Sequence, residues 1–380
     1  RAPGAPPAAF AVEQVVDELS QQLDIDPIEF RLTNASKEGT RQTSGPTFGP
    51  IGNIQVLEAA KQHPHYHSDL GGPNRGRGVA SGYWGNGGGP ASAIASVHPD
   101  GKVSLVEGSP DIGGTRTTAA MQFAEVLGIP PEDVNPSVGD TDSIGFTSPT
   151  GGSSVTFKTG WACYTAALDV KRQMIDRAAR IWEVEVDQVE YADGALHHKS
   201  DPELKLSFQE LAAKLNSTGG PIVGRATIDE RRTGPAFAHH IVDVEVDPET
   251  GKVSIIRYTA IQDVGKAIHP TYVEGQIQGG VVQGIGWALN EEYAITPDGH
   301  MMNSNFLDYR MPTSLDLPMI DTVIVEVTHP GHPFGVRGVA ELPLVPPMAA
   351  IANAIHNATG LRMTELPMAP PKVLERLQSK

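Results

Sequence analysis

Residues 241–258 read IVDVEVDPETGKVSIIRY, and this stretch gives the clearest indication of the fold class. Apolar and polar residues alternate on both sides of the turn at 248–251, which predicts an antiparallel pair of strands. A second hairpin pattern lies at 94–106, around the turn at 99–101. Hairpins that are segregated from helices along the chain favour the α+β class over a doubly wound parallel sheet.

Apolar residues at helical spacing, together with start and stop signals, predict the helices. Period-two alternation at 320–327 predicts a further strand, and residues 35–90 are predicted to be rich in loops. The predicted helices cover residues 8–23, a short segment from Pro27 to Asn34, 117–127, 161–182, 275–292 and 347–359.

The composition limits the function classes. The 380 residues are 39% hydrophobic and 19% charged, as is ordinary for a globular protein. A net charge of -16 argues against nucleic acid, because phosphate binding requires excess Lys and Arg. No apolar run reaches the roughly 20 residues that span a bilayer. The one cysteine, Cys163, can supply neither an internal disulfide nor an iron–sulfur cluster.

Two glycine-rich segments precede predicted helices. Residues 111–117 read DIGGTRT and residues 148–154 read SPTGGSS. Exposed backbone N–H groups at a helix start, with small residues around them, can bind an anion. A Thr-capped helix explains the first segment more simply, and a flexible loop explains the second, when each is considered by itself.

A third segment, residues 275–284, reads GQIQGGVVQG. Glutamine amides offer a donor and an acceptor on one head, which suits the edge of a heterocycle such as a pterin. Close helix packing explains the glycines equally well, but it leaves the glutamines without a role.

The segment GVRGVAE at 335–341 contains the best acid–base candidate, Glu341. It lies just ahead of the helix that begins near Pro346, among Leu342, Leu344 and Val345. Apolar neighbours favour the protonated carboxyl, whereas a helix start favours the anion. A carboxylate in this position could act as a general base, and a purely structural role at the helix start is about as well supported.

Histidines occur in groups. His63, His65 and His67 could bind a transition metal, but a solvated polar loop without nearby acidic ligands is the better interpretation. His239 and His240 begin a strand, so their side chains should point to opposite faces and not share an ion.

Taken together and in order, these segments resemble the second half of the molybdenum-cofactor-binding subunit of the xanthine dehydrogenase and aldehyde oxidase family. RAPGAPPAAFAVE at the start is similar to the family's R-x-x-G-x-P-Q segment, and PDIGGTRT resembles its D-x-G-Q-G-x-x-T loop. SPTGGSSVTFKTGWA resembles the segment beneath the pterin, and VEGQIQGGVVQGIGWALNEE the pterin helix. GVRGVAELPLVPP resembles the G-V-G-E-P-P loop with the family's catalytic glutamate.

The resemblance implies an α+β cofactor-binding fold with mixed and antiparallel sheets layered with helices, and a role for each matching residue. Glu341 would take the proton from a molybdenum-bound hydroxyl that attacks an electron-poor carbon, and hydride would pass to a sulfido ligand. Arg1 would lie at the substrate edge of the site. The residues implied to bind the pterin cofactor are Gly113, Gly114, Thr115, Gly151, Gly152, Ser153, Gln276, Gly338 and Ala340, with no side chain as a direct metal ligand.

The resemblance also implies two subdomains. Residues 1–230 would carry the cofactor loops at 111–118 and 148–160, and residues 231–380 the pterin helix 275–292 and the glutamate loop 335–347. Tyr83 or Trp84 would supply an aromatic side chain over the substrate.

The implied cofactor is molybdenum–pterin, with the cytosine dinucleotide form as one option. The implied partners are an N-terminal half of the subunit, an iron–sulfur subunit with [2Fe-2S] clusters, a flavin subunit with FAD, and a small-molecule substrate such as an aldehyde or an N-heterocycle. We expect a cytoplasmic complex.

Three residues depart from the family pattern. The 111–117 loop lacks the usual glutamine, Ala340 stands where glycine is usual before the glutamate, and Pro7 stands where glutamine is common. The altered 111–117 loop and the truncated start support an alternative hypothesis, a non-catalytic remnant of the fold that serves assembly or binding. A histidine-loop metalloenzyme is a third and weaker hypothesis.

Overall fold

The structure, a computed structural model, describes residues 1–140 and 142–379. Its α-helices are α1 (Ala5–Gln22), α2 (Pro27–Thr33), α3 (Asn53–Gln62), α4 (Pro64–His67), α5 (Thr115–Leu127), α6 (Val155–Trp182), α7 (Phe208–Lys214), α8 (Pro270–Leu289), α9 (Pro347–Thr359) and α10 (Pro370–Gln378). Its strands are β1 (Arg75–Trp84), β2 (Gly89–Val97), β3 (Val103–Glu107), β4 (Val134–Val138), β5 (Val189–Ala192), β6 (Ala195–His198), β7 (Lys205–Ser207), β8 (Val223–Glu230), β9 (Ala236–Val246), β10 (Val253–Asp263) and β11 (Ile320–Val325).

The described chain divides into two compact units. Unit 1 comprises Arg1–Gly85, Gly234–Thr328 and the chain from Val339 onward, and unit 2 comprises Asn86–Thr233 and His329–Gly338. The chain therefore passes twice into unit 2. This division differs from two consecutive subdomains that meet near residue 230, because β1 pairs along its whole length with β9 and so joins residues 1–85 to the second half of the sequence.

Unit 1 is built on a four-stranded sheet of order β1-β9-β10-β11. The predicted hairpin forms its centre: β9 and β10 are antiparallel, and Val246 pairs with Val253 across the predicted turn. β11 joins β10 in parallel, as the long helical connection through α8 allows. The predicted strand at 320–327 is confirmed as β11.

One face of this sheet receives α9 at unusually close range. A Cβ atom on Gly78 would lie 2.1 Å from the carbonyl oxygen of Ala350, and one on Gly76 would lie 2.2 Å from that of Ala354. Only glycine therefore permits this contact between strand and helix. The predicted helices at 347–359 and 275–292 are confirmed as α9 and α8, which bury their apolar residues in the same core.

The opposite face of the sheet is covered by α2 and α3. Ile28 and Leu57 pack there against Val79, Ile241 and Ile261. The prediction that residues 35–90 are loop-rich is confirmed for 35–52 and 68–74, but it missed α3, α4 and β1. The glycines of β1 removed the apolar alternation by which a strand is usually predicted.

Unit 2 has a four-stranded sheet of order β4-β3-β2-β8, beside a smaller sheet β5-β6-β7. The predicted hairpin at 94–106 is confirmed as β2 and β3. Helices α5 and α6 pack on this sheet around Phe123, Val170 and Met174, which confirms the predictions for 117–127 and 161–182. Helix α6 begins six residues earlier than predicted, at Val155.

The helices and hairpins place the protein in the α+β class, as predicted. The predicted amphipathic helix at 8–23 and the short helix from Pro27 are confirmed as α1 and α2. Within the described ranges, no helix combines the length and the apolar character that a membrane span requires.

Candidate functional site

Three predicted site residues of unit 1 meet around the second residue of the chain. The Arg1 guanidinium donates from Nη2 to Oε1 of Gln276 at 3.1 Å. The backbone N–H of Ala2 donates to Oε1 of Glu341 at 2.9 Å. Ala2 itself is completely buried and has a positive φ of 45°, a conformation that L residues adopt only under constraint. The first turn of the chain thus joins α8 to the segment that contains Glu341.

The glycines of α8 make room for these contacts. A Cβ atom on Gly280 would lie 2.7 Å from Cβ of Pro343 and 3.2 Å from Nη1 of Arg1. A Cβ atom on Gly284 would lie 2.6 Å from Cγ of Pro347. Close packing thus explains these two glycines, as the structural interpretation held. Gln276 is explained separately, by its hydrogen bond to Arg1.

Glu341 lies where the sequence placed it. It precedes a short 3-10 helix, Leu342–Leu344, that leads into α9. The carboxylate is half-buried, and Leu342, Leu344 and Val345 beside it are buried. Gln262, fully buried on β10, donates from Nε2 to the carbonyl oxygen of Val339 at 2.9 Å and so holds the approach to Glu341.

Arg1 is electrostatically coupled to Glu341. Desolvation lowers the pKa of the Arg1 guanidinium, and the Glu341 carboxylate opposes this shift. A guanidinium stays protonated through any such change at neutral pH. Arg1 therefore brings a fixed positive charge to the segment that contains Glu341.

Of the two candidate aromatic residues, Trp84 lies on the side of β1 that faces this site. Trp84 packs against the buried cluster that contains Ala2 and Leu342, and its buried Nε1 has no hydrogen-bond partner among the described residues. Tyr83 points to the other face of the strand, where its ring meets Phe48 and Phe237 edge to face.

Four predicted cofactor residues of unit 2 converge. The carbonyl oxygen of Gly152 accepts a hydrogen bond from the N–H of Gly87. A Cβ atom on Gly338 would lie 2.7 Å from Cβ of Ser153 and 2.3 Å from Oδ1 of Asn86. Gly151 is open, because no atom of the described residues lies within 4 Å of its Cβ position. The structure thus brings Gly151, Gly152 and Ser153 together with Gly338, although residue 338 is far away in sequence.

Asn86 and Gly87 belong to this cluster, and the sequence analysis did not select them. The run GNGGG at 85–89 was their only signal, because such a run marks close approach of backbone as well as flexibility. Thr233 donates from Oγ1 to the carbonyl oxygen of Asn86 at 3.2 Å and holds this segment in place.

The loop at 148–154 is held by hydrogen bonds, contrary to the flexible-loop interpretation. Ser148 donates from its backbone N–H to the carbonyl oxygen of Pro90 at 2.9 Å. Lys158, completely buried in the first turn of α6, donates to this loop at three atoms. Two buried hydroxyls of the loop, Thr150 Oγ1 and Ser154 Oγ, have no hydrogen-bond partner among the described residues.

The loop at 111–118 closes on itself. The Asp111 carboxylate accepts from the backbone N–H of Arg116 at 3.2 Å and from its Nε at 3.0 Å. Gly113 and Gly114 have positive φ angles of 67° and 85°. Gly114 caps α5 without a side-chain hydrogen bond, so the Thr-capped interpretation is wrong. Thr115 instead accepts from the N–H of Ile112 at 3.1 Å and braces the loop.

The first histidine group is not a solvated loop. His65 is completely buried in α4, with Nε2 3.1 Å from the Asp243 carboxylate and Nδ1 2.8 Å from Oγ1 of Thr259. His63 lies 3.3 Å from Asp321. The sequence prediction failed because these acidic partners come from distant strands. Within the described residues, no group of three or more His, Cys, Asp or Glu could hold a metal ion.

The second histidine group is divided between different partners, as predicted. Nδ1 of His239 lies 3.0 Å from Oγ of Ser81, and Nδ1 of His240 lies 2.9 Å from the Tyr258 hydroxyl. Burial lowers the pKa of both imidazoles, that of His240 to about 3. Both therefore stay neutral at physiological pH.

Two matches place the chain among known families. The family described as "Molybdopterin cofactor-binding domain" matches residues 20–318, and a second family of the same description matches residues 1–35. The first of these covers most of the chain.

Curated relatives agree with these matches. The xanthine dehydrogenase molybdenum-binding subunit of Escherichia coli O157:H7 is 34% identical over 98% of this chain and 52% of its own length. The aldehyde oxidoreductase molybdenum-binding subunit of the same organism is 30% identical over 99% of this chain and 52% of its own length. The chain thus spans about half the length of the curated relatives it matches.

Solved structures show the same fold. Quinoline 2-oxidoreductase from Pseudomonas putida 86 superposes with a TM-score of 0.87 at 25% identity, over 100% of this chain and 53% of that one.

Proposed function

The chain belongs to the molybdopterin cofactor-binding domain family, and we propose that it is the C-terminal half of a molybdenum-binding oxidoreductase subunit. The proposed reaction is hydroxylation, with water, of an aldehyde or N-heteroaromatic carbon. One observation carries the proposal: Arg1, Gln276 and Glu341 meet around Ala2, although sequence separations of 275 and 339 residues divide the bonded pairs.

The residues of each unit suit the pterin cofactor. In unit 2, the buried Thr150 and Ser154 hydroxyls have no hydrogen-bond partner among the described residues, which supports a ligand contact at this loop. The open backbone at Gly151 supports binding there as well. The proposed cofactor-binding residues are Gly113, Gly114, Thr115, Gly151, Gly152, Ser153, Gln276, Gly338 and Ala340. When bound, the molybdenum centre would supply the two-electron redox chemistry.

Glu341 is the proposed general base. Its Oε1 is fixed by the N–H of Ala2, and a carboxylate held at a defined angle can accept a proton from a nucleophilic water-derived oxygen. Arg1 is proposed to orient the polar edge of the substrate with its permanent charge, because its guanidinium is anchored by Gln276. Trp84 is the proposed aromatic residue beside the substrate.

The remaining half of the subunit is the first proposed partner. An arm of unit 1 between α8 and β11 exposes large apolar side chains: Phe306 is 90% exposed, Leu307 84%, Leu315 95% and Met319 87%. Such a concentration of exposed apolar groups indicates a protein interface. A cavity of about 490 Å³ beside α1, lined mainly by apolar residues such as Val12 and Phe237, offers a second surface of this kind.

The next proposed partners are those that accept the electrons. We propose iron–sulfur and flavin subunits as the electron acceptors, because Cys163 is the only cysteine and is completely buried. The cytosine dinucleotide form of the pterin and the cytoplasmic location stay predictions.

The experiment is elemental analysis of the complex that copurifies with this chain from its native source, followed by Glu341→Gln. We expect stoichiometric molybdenum, and we expect Glu341→Gln to lower kcat by about 10²–10⁴-fold, the usual contribution of a general base. Glu58→Gln, at an exposed position of α3, is the control and should leave kcat unchanged. A folded complex without molybdenum, from cells that make the cofactor, would favour the non-catalytic remnant instead.

The proposed interface has its own test. Replacement of Phe306 and Leu315 by serine should weaken copurification of the remaining half of the subunit, because burial of these side chains would no longer be favourable. Leu168→Ser, at a half-exposed apolar position of α6 in unit 2, serves as the control. Unchanged copurification of the double variant would remove the arm from the interface.

A further inference from the structure

We propose that Lys158 is a positioning residue of the cofactor site, which fixes the loop at 148–154 and gives it the positive charge that an anionic cofactor requires. The inference rests on the proposed function, because it assumes that a molybdenum–pterin cofactor binds at this loop. Lys158 lies within the motif at 148–162, but it is not among the individual site residues that the resemblance implies.

The first argument is geometric. Nζ of Lys158 lies 2.7 Å from the carbonyl oxygen of Ser148, 2.6 Å from its Oγ and 3.0 Å from the carbonyl oxygen of Pro149. An ammonium group has three N–H donors, and each of these acceptors belongs to the loop. Oγ of Ser148 donates in turn to the carbonyl oxygen of Pro90 at 3.1 Å. Lys158 therefore ties the loop to α6 and, through Ser148, to β2.

The hydrogen bonds of Lys158 to Ser148 and Pro149 also affect the residues that follow. Thr150 follows Pro149 directly, and Gly152 and Ser153 then turn through positive φ angles of 65° and 58°. The strained turn begins at a fixed point, so its open backbone keeps a defined position. A loop released at Ser148 and Pro149 would lose this constraint and would have to be ordered again at each binding event.

The second argument is electrostatic. Lys158 is completely buried, and no carboxylate lies within 4.0 Å of its ammonium among the described residues. Burial lowers its pKa, but the three oxygen acceptors favour the charged form. A buried ammonium that hydrogen-bonds only neutral oxygens has no counter-charge among the described residues, and an anion bound at the loop would supply one.

The start of α6 has the same polarity. The helix is 28 residues long, and the partial positive charge of its first turn lies beside the buried Ser154 hydroxyl, which has no partner within the described part of the chain. The ammonium of Lys158 and the helix start thus both favour a negative group at this loop. The phosphate and dithiolene groups of a molybdenum–pterin cofactor are negative groups of this kind.

The test uses the whole complex purified from a host that makes the cofactor. Lys158→Met keeps the length of the side chain and removes donors and charge, whereas Lys158→Gln keeps a donor and removes the charge. Lys171→Met, on the same helix, is the control. The first two readouts are molybdenum content and the fluorescence of the oxidised pterin released from the protein. The third is the rate of cofactor loss in 1 M salt, because this high ionic strength screens surface charges. The fourth is thermal unfolding of the cofactor-free complex.

We expect both Lys158 variants to lose cofactor about tenfold faster or more, the usual effect of removing hydrogen bonds to a charged group. Their cofactor-free forms should unfold within a few degrees of the cofactor-free wild type, because the removed desolvation cost of a buried charge offsets part of the three lost hydrogen bonds. Retention equal to the wild type in Lys158→Met would overturn the inference, and so would full rescue by Lys158→Gln. If the cofactor-free variants unfolded at a clearly lower temperature than the cofactor-free wild type, Lys158 would have only a structural role. A wild-type complex without pterin would overturn the proposed function as well.

Discussion

His332 donates a hydrogen bond from Nε2 to the carbonyl oxygen of Phe157, with 3.2 Å between the two atoms. Its other ring nitrogen, Nδ1, accepts from the N–H groups of Phe334 at 3.1 Å and Val336 at 3.4 Å. These three bonds assign the proton to Nε2 and require a neutral ring. His332 therefore fixes the segment that ends at Gly338, next to Ser153, in unit 2.

The first prediction concerns the pH dependence of stability. Burial lowers the pKa of His332 to about 4 from its usual 6.5. Between these values the unfolded chain binds a proton that the folded chain does not, so the stabilisation is complete above pH 6.5 and is lost as the pH falls toward 4. His332→Gln should remove up to about 3 kcal/mol of this dependence.

Urea unfolding of the complex at pH 7 and at pH 5 measures this difference. In the control variant His300→Gln, stability should change between pH 7 and pH 5 as it does in the wild type, because the His300 ring is largely in solvent. If the stability of His332→Gln changed with pH as much as that of the wild type, this imidazole would not titrate with folding.

The second prediction concerns Gly338. Its missing Cβ leaves room for Asn86 and Ser153, and the atoms that an alanine would meet lie at 2.3 Å and 2.7 Å. Gly338→Ala should destabilise unit 2 by about 1–3 kcal/mol, the usual cost of overpacking. It should also lower the pterin content of the complex.

Gly275→Ala is the matched control, because nothing lies within 4 Å of a Cβ at that position of α8. Alanine within a helix stabilises by about 0.8–1.0 kcal/mol relative to glycine, so the melting temperature should rise slightly. Melting temperatures and pterin contents of the two variants test this prediction. If Gly338→Ala had the melting temperature and pterin content of the wild type, the close approach of Asn86 and Ser153 to Gly338 would be contradicted.

The sequence predicted those parts of the fold that depend on local chemistry. The β9–β10 hairpin has an alternating pattern and a turn of its own, and α9 has Pro at its start and Gly360 at its end. The sequence did not predict β1, because the glycines that allow close contact with α9 interrupt its alternation of apolar and polar residues. The strand there is set by pairing with β9, which lies more than 150 residues away in sequence.

The candidate site was predicted to the same extent. Glu341 and Gln276 belong to motifs with a recognisable sequence, and the structure joins both to the first two residues of the chain. Lys158 was missed because the β-branched and hydroxyl residues at 153–156 gave no helix signal, although α6 begins at Val155. His332 was missed because its partner Phe157 lies in this same unpredicted start of α6. Their partners are backbone oxygens and N–H groups, which no side-chain pattern reveals.

The third prediction separates two glutamines of the same helix. Gln276 accepts from Arg1 at 3.1 Å, whereas Gln278 donates from Nε2 to the carbonyl oxygen of Ile320 at 3.3 Å. Gln276→Leu should release the guanidinium and lower kcat/KM about tenfold or more, because a hydrogen bond to a charged group is lost. Gln278→Leu removes only a neutral hydrogen bond that does not involve Arg1, so it should lower kcat/KM less than Gln276→Leu does. Steady-state kinetics of the loaded complex test this, and equal effects would mean that Gln276 supports only the helix.

The fourth prediction concerns a carboxyl group at the end of β3. Glu107 is 1% exposed and accepts from the N–H of Ser109, and desolvation raises its pKa to about 7. The folded chain therefore holds a proton that the unfolded chain releases above its own pKa of 4.5. This contribution is complete below pH 4.5 and is lost as the pH rises through about 7. Glu107→Gln mimics the protonated acid and should gain up to about 3 kcal/mol on the wild type between pH 5 and pH 8.

The matched control for this change is Glu125→Gln, at an exposed position of α5 in the same unit. Its stability relative to the wild type should not vary with pH, because that carboxylate is in solvent in both states. Urea unfolding of the three proteins at several pH values gives the comparison. A constant difference between Glu107→Gln and the wild type would show that Glu107 is already ionised in the folded protein, and would require a counter-charge beside the loop at 111–118.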